Sequence, residues 1–74
     1  MVTADKKYIP LDTAKIRQLR EALKLTQEQA AKRAGLSSRQ KWNDIESGRQ
    51  TNLTIELLER VARALGVSAK DLLK

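Results

Sequence analysis

A chain of 74 residues has room for one domain, close to the lower size at which a lone core is stable, and its 15 Lys and Arg against 9 Asp and Glu leave a net charge of +6. With no Cys and no His, disulfides, thiolate and imidazole catalysis and the usual zinc and haem sites are excluded, so neither a metal nor a cofactor is expected. No apolar run is long enough to span a membrane and MVTADKKYIPLD lacks the apolar stretch of a signal peptide, so a soluble, cytoplasmic protein is expected. The excess positive charge lies almost wholly before Asn52, which favours a polyanionic partner.

No alternating strand pattern competes with helical periodicity, and the expected fold is all-α with five helices. Residues 1–11 read as a flexible arm and residues 12–74 as the domain. Pro10 stops a helix from extending backward, Asp12 offers an N-cap, and Leu11 and Ile16 are spaced as a hydrophobic staple across it. The first helix is predicted over 13–24 with Ile16, Leu19 and Leu23 as its apolar stripe. Arg20 falls inside that stripe, and a charge facing inward needs a partner.

Thr26 and Gln29 form a capping box for the second helix, whose inward face is Gln27, Ala30, Ala31 and Ala34. Gly35 ends it, because glycine tolerates the left-handed backbone that closes a helix and starts a tight turn. Ser37 or Ser38 caps the third helix. If Ser37 does, Gln40 completes a second capping box, with Trp42 and Ile45 toward the core and Ser38, Arg39, Gln40, Lys41, Asn43 and Asp44 outward or sideways. Ser47 to Asn52 is a polar, glycine-containing loop. The fourth helix begins after Thr54, presents Leu57, Leu58, Val61, Ala62 and Leu65, and ends at Gly66. A last short helix starts at Ser68, with Asp71 at the capping-box distance and Leu72 and Leu73 as apolar surface.

Two short amphipathic helices separated by a glycine turn, the second rich in exposed Arg, Gln, Lys and Asn, have the layout of a helix-turn-helix. IRQLR in the first helix, LTQEQAAKRAGLS across the second and the turn, DIESG closing the third and LLERVARALGVSAKDLL at the end carry a further likeness. Together they resemble the Cro/cI-type, XRE-like helix-turn-helix family, over about Ile16 to Leu73. The resemblance implies a compact five-helix domain of the phage-repressor type, with the second and third helices forming the motif. It also implies that Gln27 lies against the DNA backbone, that Arg39, Gln40 and their neighbours read base edges, and that Arg20 pairs with Glu46. From Gly35 to Ile45 the chain has one residue more than the common family spacing, so base contacts are assigned to within one residue. Ala30 stands where leucine is usual and Trp42 where a smaller aliphatic is common, and the indole is expected to fill the volume Ala30 leaves.

The expected function is sequence-specific binding of double-stranded DNA by a repressor-like regulator rather than catalysis. Base-reading candidates are Ser38, Arg39, Gln40, Lys41 and Asn43. Arg39 suits a bidentate contact with guanine, and Gln40 or Asn43 one with adenine. Phosphate candidates are Arg17, Lys24, Gln27, Ser37, Arg49, Gln50 and Asn52, with backbone N–H groups at helix starts. Lys41 either joins the readers or lies over the core with its ammonium reaching water, and Asp44 is structural or discriminates against bases. One such domain makes few contacts, so a homodimer on a pseudo-palindromic operator is expected. Val67, Leu72 and Leu73 either form its seam or close the core of the fourth helix. The alternative is a protein-interaction module of the same fold, such as an antitoxin or a bridging factor.

Overall fold

A computed structural model describes residues 11–49 and 53–74. Among them run four α-helices and one short 3-10 helix: α1 Thr13–Ala22, α2 Gln27–Arg33, α3 Arg39–Glu46, α4 Ile55–Leu65, and a final turn, Ala69–Leu72. The all-helical expectation holds, but the fifth element is a single 3-10 turn rather than an α-helix. Its cap follows the expected spacing, the Ser68 N–H donating to Asp71 Oδ2 at 3.1 Å.

Local chemistry sets the helix starts. Asp12 Oδ1 accepts from the Lys15 N–H at 3.2 Å, and Thr54 Oγ1 from the Leu57 N–H at 3.0 Å. The α2 capping box is complete: Thr26 Oγ1 accepts from the Gln29 N–H at 3.0 Å while Gln29 Oε1 accepts from the Thr26 N–H at 2.9 Å. For α3 the cap is Ser38, whose Oγ accepts from the Lys41 N–H at 3.4 Å. Ser37 therefore sits in the turn, and Gln40 makes no capping box with it.

Helix α1 closes two residues earlier than its periodicity predicts. Lys24 takes a left-handed conformation, φ 59°, and the N–H groups of Lys24 and Leu25 turn back to the carbonyls of Glu21 and Arg20 at 2.9 and 3.1 Å. This is a Schellman closure made without glycine. It leaves Leu23 45% exposed, outside the expected stripe. The same closure at the end of α2 uses Gly35, φ 74°, with Leu36 N–H returning to the Ala31 carbonyl at 2.9 Å.

One core unites all the elements: Ile16 of α1, Ala30 and Ala31 of α2 with Ala34 just beyond, Trp42 and Ile45 of α3, Leu58, Val61, Ala62, Ala64 and Leu65 of α4, with Leu53 and Leu72. Leu53 and Ala64 were not anticipated, and Leu57, expected inside, is only half-buried. Helices α2 and α3 pack directly on each other. Ala30 and Trp42 are both fully enclosed, so a small residue on one helix accompanies the indole on the other, as close packing requires. At the C-terminal end Leu11 and Leu73 pair as an isolated antiparallel bridge, and the Asp12 N–H donates to the Leu72 carbonyl at 2.8 Å. Leu72 is wholly buried and Val67 packs against the core, leaving only Leu73 exposed of the proposed dimer seam. Closure of the α4 core is what Leu72 does.

Candidate nucleic-acid interface

The inward charge of α1 finds its partner on α3. Arg20 donates from Nε to Glu46 Oε1 at 2.8 Å and from Nη2 to Glu46 Oε2 at 3.0 Å, while Nη1 donates to the Leu25 carbonyl at 2.8 Å. That carbonyl is within reach because Lys24 reverses the chain. The pair is largely enclosed, with 12% of the Arg20 and 7% of the Glu46 side chain exposed. Two further groups donate to the same carboxylate: Trp42 Nε1 to Oε1 at 2.7 Å and Gln27 Nε2 to Oε2 at 3.4 Å. Burial pushes the Glu46 carboxyl up, but the hydrogen bonds from Arg20 and Trp42, the Arg20 charge and the Gln27 bond outweigh it and hold the group below its ordinary value. The Glu46 hydrogen bond, opposed by burial, raises the Arg20 guanidinium further.

Gln27 links this core network to the exposed face of α3. With its nitrogen committed to Glu46, its Oε1 accepts from Arg39 Nη1 at 3.2 Å and from Asn43 Nδ2 at 3.3 Å. Asn43 Oδ1 in turn accepts from Arg49 Nη2 at 3.4 Å, and Arg49 Nε donates to Ser47 Oγ at 3.4 Å. Beside this chain lies an open concavity of about 240 Å³ lined by Arg17, Arg20, Gln27, Asn43, Glu46 and Ser47. Five candidates, Arg17, Gln27, Arg39, Asn43 and Arg49, thus meet on one face.

Among the described residues, the remaining candidates lie apart from that cluster. Gln40 is exposed on α3 and donates from Nε2 to Asp44 Oδ1 at 2.9 Å. Lys41 stands on the other flank, where a cavity of about 120 Å³ is lined by Leu36, Lys41, Asp44, Ile45 and Leu57. That position matches the reading in which its stem covers apolar surface. Ser37 and Ser38 are exposed in the turn and at the cap, and Lys24 is exposed at the end of α1. Gln50 and Asn52 lie outside the described residues. Missed in the sequence were the bonds of Trp42 and Gln27 to Glu46. An i, i+4 spacing of Trp42 and Glu46 was visible, but nothing local pointed to a bond between Gln27 and a residue 19 positions on.

A family model for a helix-turn-helix domain matches residues 13–73. The chain belongs to the helix-turn-helix family. Within it, the resemblance to the Cro/cI-type, XRE-like branch is borne out by a solved structure. This helix-turn-helix domain is 32% identical to a chain of the SinR protein/SinI protein complex, with a TM-score of 0.74, over 84% of its own length. It spans 59% of that chain. Among curated proteins nothing matches. Arg20 and Glu46 pair as the family resemblance implied, and the exposed N-terminal half of α3 belongs to a DNA-binding motif.

Proposed function

We propose that this helix-turn-helix protein is a repressor-like transcriptional regulator that binds a specific, pseudo-palindromic site on double-stranded DNA as a dimer, with α3 in the major groove. The observation that carries the reading is the exposed start of α3, where Arg39 is held by Gln27 and, among the described residues, keeps most of its guanidinium donors unengaged. A planar donor fork of that kind matches the two acceptors on the guanine edge. Gln40 beside it supplies an amide suited to adenine.

Arg17, Lys24 and Arg49, with Ser37, Gln50, Asn52 and the backbone N–H groups at helix starts, anchor the domain on phosphates. Gln27 has both amide ends engaged within the fold, which favours a buttressing part over a free phosphate contact. Lys41 and Asn43 contribute at the margins of the reading surface, and Ser38 chiefly caps its helix. Two copies are needed because one domain of this size makes few contacts. The reading is of a DNA-binding protein acting in the cytoplasm rather than an enzyme; among the described residues no helix is long and apolar enough to cross a membrane.

A protein partner is the second reading, favoured by one observation: the similar solved chain was captured in a complex of two different proteins. Selection from a randomised duplex pool, repeated at several salt concentrations, separates the two. A symmetric motif with spaced half-sites is the expected result. Binding that selects no motif and vanishes at moderate salt would reduce the basic face to non-specific electrostatics and leave the partner reading standing.

A further inference from the structure

The outward face of α3 carries a second hydrogen-bonded pair, separate from the Gln27 cluster. At about 100° per residue, Gln40 lies nearly opposite the buried Trp42 and Ile45, at the centre of the face directed away from the core. One turn on, Asp44 is half-buried and receives the Gln40 Nε2 hydrogen bond at 2.9 Å.

A free glutamine amide can present either end to a base, and so tolerates several edges. Here the choice is removed by chemistry. An ionised carboxylate only accepts hydrogen bonds, so Gln40 must direct its nitrogen toward Asp44 and its oxygen away. What remains for a ligand is the carbonyl acceptor and a single N–H. That set complements adenine, whose N6 amino group donates and whose N7 accepts. It opposes guanine, which offers two acceptors, O6 and N7, in the same groove.

We infer that Asp44 is a positioning residue that sets the base selected by Gln40 and makes it adenine. The inference rests on the proposed reading of DNA by α3. Asp44 reaches no base itself. It acts by fixing the orientation of the amide that does.

The experiment uses the full chain and the duplex selected from the randomised pool. Gln40→Ala first identifies the base pair whose preference depends on Gln40, and the affinities of the four base pairs at that position are then compared for the parent chain, Asp44→Asn and Asp44→Glu. Expected are an adenine preference in the parent chain, a fall of about fivefold or more in the adenine-to-guanine affinity ratio for Asp44→Asn, and partial recovery for Asp44→Glu, which restores an acceptor-only group. The amide in Asp44→Asn both donates and accepts, so it no longer dictates the orientation of Gln40. An equal rise in affinity on all four duplexes with the ratio unchanged would overturn the inference and reduce Asp44 to a long-range charge. A guanine preference in the parent chain would also overturn it while leaving DNA reading intact. Failure of the pool to yield any motif would instead overturn the reading on which it rests.

Discussion

Trp42 and Glu46 are joined one turn apart on α3, the indole N–H donating to the carboxylate at 2.7 Å inside the fold. The indole is thereby both a core filler, wholly buried, and one of the groups that let the Glu46 side chain sit largely enclosed beside Arg20, with only 7% of it exposed. Trp42→Phe keeps most of the apolar volume and deletes the donor. A loss of about 1 to 3 kcal/mol in urea unfolding is expected, because a charged acceptor loses a partner and space is left unfilled. A loss no larger than that of an exposed substitution would mean that water replaces the indole without cost.

The Arg20 and Glu46 pair is a constraint more than a source of stability. Desolvation offsets much of the attraction between such charges, yet removing one partner strands the other. Glu46→Ala should therefore cost about 3 to 5 kcal/mol. Adding Arg20→Met to that variant should recover part of the loss. A double variant less stable than Glu46→Ala alone would show that Arg20 stabilises the fold without its partner, through its bond to the Leu25 carbonyl.

Acid should unfold the domain through Glu46. Its carboxyl lies below the ordinary value of 4.5 when folded, so the stabilisation is present in full above that value and disappears as pH falls through the lower, folded one. The thermal midpoint, followed by the fluorescence of the single tryptophan, should be level toward neutrality and drop below the ordinary carboxylate range. In Glu46→Gln, which has no charge to lose, the acid drop should be smaller. An unchanged acid profile in that variant would assign the transition to other groups.

Lys24 occupies a backbone region that costs an L-residue roughly 1 kcal/mol or more and glycine nearly nothing. Lys24→Gly should raise stability by up to about 1 kcal/mol, less what the freer unfolded chain takes back. Lys24→Asn tolerates the same backbone while removing the charge. If Lys24 also touches phosphate, both variants should reduce the salt dependence of DNA affinity by about one contact.

Arg39→Ala should relax preference at one base pair by about 1 to 3 kcal/mol with the other positions unchanged. Gln27→Ala should loosen the same position without removing the guanidinium, since Gln27 Oε1 holds Arg39 at 3.2 Å. Uniform weakening on every sequence by Arg39→Ala would reassign that arginine to phosphate.

Helix existence, order and starts were legible because they rest on short-range rules. Asp12, Thr26, Thr54 and Ser68 each stand at a predicted helix start, and the apolar positions Ile16, Ala30, Trp42 and Ile45 recur at helical spacing and are buried. Boundaries were harder to read where two residues could serve equally, as with Ser37 and Ser38, or where a lysine took a role usually given to glycine, as at Lys24. The final turn was legible as an element but not as a 3-10 helix. Its four residues are too few for periodicity to distinguish the two forms.

The sequence by itself determined an all-α, helix-turn-helix domain with a basic bias and a polar third helix, because propensity, capping and periodicity are written within a few residues of each other. Tertiary structure alone decided which polar groups are engaged and which remain for a ligand. Gln27 turns to Glu46 and Arg39, and Asn43 gives its amide nitrogen to Gln27. Polar side chains choose partners by distance and direction in three dimensions, and residues 12 to 26 positions apart become neighbours only when α1, α2 and α3 have packed.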